Sequence, residues 1–362
     1  MKKERTERIL REMEHKGLTQ MIVCDPYSVF YLTGRWIFPG ERLLAFILKT
    51  EGQHELVVSR LYPQAPDADF HVSYFDDCDD YMGLLCSHLD RSKTIGVEKT
   101  WQAKFLLRLL ELFPETGVVN ASAIVDYARM VKDAEEQELL RKASLLNDET
   151  MARILKEANS GLSEQALADR ILAIYNELGA SGPSFSPIVA MGKNSADPHY
   201  MPQDAVPQYG DCITFDIGCV LNNYCSDMTR DVFIGTVSDK QREAYEIVKE
   251  ANLRGIEAAK PGNRKCDVDL AARGVIERAG YGEFFVHRTG HSCGLEDHEF
   301  GDVSSQNTDI IKPGECFSVE PGIYLPHEGF GVRVEDLVIT TENGCEVLNH
   351  YPKDITVLPF EG

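Results

Sequence analysis

The chain has 362 residues, 43% hydrophobic and 26% charged, and its 58 acidic against 37 basic residues give a net charge of −21. These proportions describe a soluble globular protein with one very large domain or two ordinary ones, and the acidic balance excludes nucleic acid and anionic membrane as partners. No apolar run exceeds strand length and the N-terminus MKKERTERILREM has no apolar signal core, so a cytoplasmic protein is expected.

In chain order, residues 2–16 read as an amphipathic helix. MIVCD, SVFYLTG, LLAFILK, HELVVS and TIGVEK read as strands, and QAKFLLRLLELF from Gln102 as a helix. This makes an α/β domain over residues 1–125. The highly charged DYARMVKDAEEQELLRKA, from Asp126, opens a long helix and a second domain, 126–362. There Ser163 precedes the helical EQALADRILAIYNEL and Gly179 ends it. Ser238 and Gln241 form a capping box before a helix that ends at Pro261-Gly262, and a further helix runs from Cys266 to Ala279. The ten cysteines include no C-x-x-C pair, so they read as reduced, mostly buried residues.

The strongest chemical signal is DCITFDIGCVLNNYCSDMTRDVFIG, from Asp211. Its alternation is that of a hairpin turning at Leu221-Asn222-Asn223. Asp216 and Asp227 then face each other directly or diagonally across the ladder, an arrangement that destabilises a sheet unless a cation lies between them. ECFSVEPGIYLPHEGFGVRVEDLVIT, from Glu315, repeats the pattern. Its midpoint at His327-Glu328 sets Glu320 opposite Glu335, with Arg333 two residues before the second; Asp336 reads as a solvated neighbour. Between the two hairpins lies GHSCG, Gly290 to Gly294. It offers His291 as a metal ligand, Cys293 as a thiol, or Ser292 as an esterase nucleophile, with Asp309 or Asp336 and then His350 to complete a triad. The serine reading is the remote one, because GLEDHEFGDVSSQ after it has no helical periodicity and no Gly-rich oxyanion loop precedes it. Four carboxylates and one imidazole suit Mn²⁺, Co²⁺ or Zn²⁺, and four negative charges match two divalent ions.

FDIGCVLNNYCSDMTR, TGHSCGLEDHE, SVEPGIY and GVRVEDLVIT, with DPHY at Asp197–Tyr200 upstream, resemble the motifs of the metal-dependent aminopeptidase and prolidase family with the pita-bread fold. YLTGRWIFPGERLLAFIL is similar to the smaller creatinase-like domain of its Xaa-Pro dipeptidases. The resemblance implies an α/β (α+β) protein with a creatinase-like N-terminal domain and a pita-bread catalytic domain. It implies hydrolysis of the bond preceding proline in dipeptides or short peptides by a hydroxide shared between two metal ions, Mn or Co in preference to Zn. An aminopeptidase P-like activity on longer peptides is the alternative. By the same resemblance the metal ligands are Asp216, Asp227, His291, Glu320 and Glu335, with Glu320 also shuttling the proton. His199 and His298 contact the scissile carbonyl, and Arg333 anchors the ligand shell or the substrate's terminus. A homodimer formed through the N-terminal domains is implied as well. The sequence departs from the family pattern at Ser292, where glycine is usual, at Cys293, where a small apolar residue is usual, and at Asp297, where an apolar residue is usual. Asp297 is expected to raise the pKa of His298.

Overall fold

A computed structural model describes residues 1–360, which fall into two compact units, Met1–Arg129 and a second that begins at Met130. No helix among the described residues is long and apolar enough to cross a membrane.

The first unit is built on a mixed six-stranded sheet in the order Phe70–Phe75, His54–Ser59, Leu44–Lys49, Gln20–Val23, Ile95–Val97, Val118–Asn120. Helices Tyr81–Ser87 and Ala103–Leu112 cover it, burying Leu85, Phe105 and Leu109 against Ile22, Ile47, Val57 and Ile95. One expected strand is a helix. SVFYLT lies within the helix Pro26–Thr33, where the Asp25 carboxylate accepts from the Ser28 N–H, Pro26 occupies the first turn and the following Gly34 closes the helix at φ 71°. The β-branched and aromatic composition of that stretch is overridden by these end signals. A second correction concerns the helix expected from Asp126. Helix Ser122–Met130 stops, Lys132 donates its N–H to Gly314 O, and the long helix Ala134–Ile154 begins afresh from a capping box of Asp133 and Glu136.

The second unit has two similarly built halves. In the first, helices Ala134–Ile154 and Glu164–Leu178 bury Ile154, Leu167 and Ile171 against Ile213, Phe215 and Val232 of strands Cys212–Ile217 and Met228–Ile234. In the second, helices Asp239–Ala258 and Lys265–Arg278 pack against strands Cys316–Val319, Gly322–Leu325, Phe330–Arg333 and Asp336–Thr340. The caps at Ser163 and at Ser238 with Gln241 are formed as read from the sequence.

Register decides what the hairpins present. In the first, Asp216 pairs with Thr229 and Ile217 with Met228, and Asn222 and Asn223 turn the chain at φ 50° and 74°. That pair of positive φ angles is the hairpin turn suited to twisted strands. Asp227 therefore lies just past the ladder, diagonal to Asp216. In the second, Val319 pairs with Asp336 and Gly322 with Arg333 in one unbroken register. Glu320 and Glu335 face each other at the break between the two ladders, as the spacing of the sequence demands.

Candidate metal centre and active site

Asp216, Asp227, His291 and Glu335 are nearly fully buried, and with Glu320 they converge on one cavity of about 550 Å³. His199, His298 and Arg333 line the same cavity, so all eight residues singled out in the sequence come together.

His291 sits in the strand Gly290–Ser292, whose neighbour is Cys316–Val319. Its N–H donates to Ser318 Oγ at 3.0 Å, and the same hydroxyl donates to Glu320 Oε1 at 3.2 Å, so one serine fixes both residues. The imidazole Nδ1 faces the carbonyls of Asp297 at 3.1 Å and Ser292 at 3.4 Å. Carbonyls only accept, so Nδ1 carries the proton. The unprotonated Nε2 then points at Asp227 Oδ2, 3.5 Å away, and Glu320 Oε1, 3.4 Å away. A lone pair facing two carboxylates is repulsive unless a cation lies among them. Burial, with His298 beside it, pushes the His291 pKa down to about 3, which keeps the ring neutral and able to act as a ligand.

The carboxylates carry the same message. Asp216 Oδ1, Asp227 Oδ1 and Glu335 Oε1 are buried without a hydrogen-bond partner. Burial and the neighbouring Glu335 drive the Asp227 pKa well above the carboxylate range. Burial and Glu320 do the same to Glu335, and burial followed by Asp216 pushes Glu320 up to about 8 although Arg333 opposes it. Buried like charges held this close are costly until a cation neutralises them. The donor set, hard oxygens plus one imidazole whose other nitrogen is anchored to backbone, fits divalent transition ions.

The chain matches the model of metallopeptidase family M24 over residues 138–342 and that of the creatinase/prolidase N-terminal domain over residues 5–131. It belongs to metallopeptidase family M24. It is 32% identical to an Xaa-Pro dipeptidase of Pyrococcus furiosus, covering 98% of this chain and 99% of that one. Among solved structures it superimposes on a prolidase of Thermococcus sibiricus with a TM-score of 0.91, at 32% identity over 98% of this chain and 99% of that one. A dipeptidase PepE of Mycobacterium ulcerans gives a TM-score of 0.92, at 33% identity over 98% and 97%. This M24 peptidase thus has the expected architecture, a creatinase-like N-terminal domain followed by the pita-bread catalytic domain, and its family membership implies a divalent metal.

The remaining residues of this M24 site are held in different ways. Arg333 donates to Asp216 Oδ2 at 2.7 Å, Thr229 Oγ1 at 3.0 Å and Tyr324 OH at 2.8 Å. With all three nitrogens engaged, it is an anchor of the carboxylate shell. His298 is exposed, its ring 3.8 Å from that of His291, and His199 is exposed on the cleft wall. The expected rise in the His298 pKa does not occur: partial desolvation of the ring against the cleft and then Arg288 lower it. Asp297 itself is pushed up to about 7, by burial and then Asp216. Ser292 is fully buried and donates to Gly301 O at 2.8 Å, so it fills a structural position and has no access to substrate. Asp336 is no solvated neighbour: it is fully buried between Arg230, at 2.7 Å, and Lys353.

Sequence reasoning missed Arg230, which is 1% exposed yet donates to the Glu335 carbonyl at 2.6 Å and so holds a carboxylate of the centre in place. It also missed Thr229, whose hydroxyl donates to Glu335 Oε2 at 2.7 Å, and Arg288 on the cleft wall. The position of Thr229 opposite Asp216 was the available signal. Gly290 is required for packing. A Cβ there would lie 1.9 Å from Ser318 O, so Gly290→Ala must separate the strands that align His291 with Glu320. Overpacking of this kind costs about 1–3 kcal/mol. We expect a lower denaturant midpoint and weaker metal retention in this variant; an unchanged midpoint would contradict the assignment.

Proposed function

We propose that this chain is a metal-dependent peptidase that cleaves the bond preceding proline in Xaa-Pro dipeptides, using two divalent cations, Mn²⁺ or Co²⁺. The observation that carries the reading is the convergence of four carboxylates, three with an unpartnered buried oxygen, around the free Nε2 of His291 on the floor of a cleft. Asp216, Asp227, His291, Glu320 and Glu335 hold the cations, which when bound supply Lewis acidity toward the scissile carbonyl and a water acidic enough to attack near neutral pH.

The protein's own groups do the rest. An X-Pro bond is a tertiary amide with no N–H to grip, and its nitrogen must gain a proton before proline can leave. Glu320, steadied by Ser318, takes a proton from the attacking water and returns it to that nitrogen. His298 and His199 hydrogen-bond the carbonyl oxygen as charge develops on it. Arg333 is committed to Asp216, so Arg288 on the cleft wall is the cation available for the C-terminal carboxylate of a dipeptide.

The test is a length series, Ala-Pro against Ala-Pro-Xaa peptides, with added Mn²⁺ and after chelation. Cleavage of Ala-Pro that is lost on chelation and restored by Mn²⁺ or Co²⁺ is expected. Activity surviving chelation overturns the metal reading, and preferential cleavage of the longer peptides replaces the dipeptidase by an aminopeptidase.

A further inference from the structure

The cleft contains a fifth carboxylate, Asp297, in the loop between strands Gly290–Ser292 and Glu299–Val303. The His291 ring anchors the Asp297 carbonyl, so the loop is tied to the centre. Asp297 Oδ2 lies 3.4 Å from His298 Nε2, while Oδ1 is buried without a donor and the carboxylate lies against that of Asp227. Among the described residues the His298 ring is its only ion-pair partner: Arg333 is bound to Asp216, and Lys132 to Glu299. A buried, unsatisfied carboxylate oxygen on a substrate cleft is costly, and an apolar group pressed against it removes what water it has left. A cationic group does the reverse, and a half-enclosed cleft strengthens the attraction.

Resting on the peptidase reading above, we infer that Asp297 is a specificity-determining residue that favours substrates whose first residue carries a cationic side chain, lysine or arginine. The scissile carbonyl belongs to that first residue, so its side chain branches off beside the metal-binding carboxylates, in the cleft that Asp297 also lines. Phe185, Ile188 and Pro198 in the same lining suit the methylene stem of such a side chain. The α-ammonium group is common to every dipeptide and cannot discriminate; the side chain can.

The experiment measures kcat/KM for Lys-Pro, Arg-Pro, Leu-Pro and Met-Pro with the full-length Mn²⁺-loaded protein, its Asp297→Asn and Asp297→Val variants, and the bound metal in each. The Lys-Pro to Leu-Pro ratio is expected to exceed unity in the unaltered protein and to fall about tenfold or more in both variants, at unchanged metal content. A ratio unmoved by either substitution overturns the inference. So does an equal loss on all four dipeptides, which would assign Asp297 to the α-ammonium, and so does loss of bound metal, which would make it a ligand. If the unaltered protein cleaves no Xaa-Pro dipeptide, the peptidase reading fails and takes this inference with it; the other outcomes overturn the inference alone.

Discussion

Asp227→Asn is expected to abolish peptidase activity, by roughly a thousandfold or more, while making the metal-free protein more stable. The two effects have one cause. Asp227 is 3% exposed, its Oδ1 has no partner, and Glu335, Asp297, Asp216 and Glu320 all raise its pKa through their charges. Without a cation these groups cannot all ionise in a dry site, so folding forces protons onto carboxyls that are charged in the unfolded chain, and an amide at position 227 removes that cost. With cations bound, the same substitution would remove one of the carboxylates that hold them, and the activity that depends on them. Each kcal/mol recovered should appear as roughly 2–4 °C in the melting temperature of a unit this size. The sign with pH follows. A carboxyl whose folded pKa is raised binds its proton more tightly in the native state, so the metal-free protein should lose stability as pH rises from the ordinary glutamate range through about 8, the value for Glu320. Asp227→Asn should flatten that slope. Full activity in the variant, or a lower metal-free melting temperature, would remove Asp227 from the centre.

Arg230→Met is the variant expected to unfold the catalytic domain most readily. Arg230 donates to Asp336, to Thr229 O and Glu335 O, and to the carbonyls of Tyr351 and Pro352, all from a fully enclosed position. Its loss strands the buried Asp336, with only Lys353 left to pair it, and frees several carbonyls at once. Breaking a buried pair from one side typically costs about 3–5 kcal/mol. Denaturant titration should show a loss of that order, and Arg230→Met combined with Asp336→Leu should recover part of it. A loss below about 1 kcal/mol would mean that the pair carries no structural load.

The two hairpins were legible because a strand has a period of two, so residue spacing alone fixes which carboxylates face each other. Asp216 with Asp227 and Glu320 with Glu335 follow from counting to the turn. Helix ends were legible where a capping residue and a glycine bracket the run, as at Ser163 and Gly179. Pro26–Thr33 defies a reading by composition because the Asp25-Pro26 start signal prevails over the strand preference of its side chains. The burial of Asp336 was hidden for a different reason. Its partner Arg230 lies far from it in the chain and Lys353 beyond an intervening strand, and no local pattern announces either contact. Arg333 could be read as either a shell anchor or a substrate clamp until Tyr324 and Thr229 were seen to take its remaining nitrogens.

The two halves of the catalytic domain each contribute one acidic hairpin, Asp216 and Asp227 from one and Glu320 and Glu335 from the other. A cation seated among them belongs to both. It closes a long loop of chain as a cross-link does, and its departure turns an attraction between the halves into a repulsion. Metal held there would therefore also stitch the seam of the domain, and chelation would lower its folding cooperativity together with its chemistry.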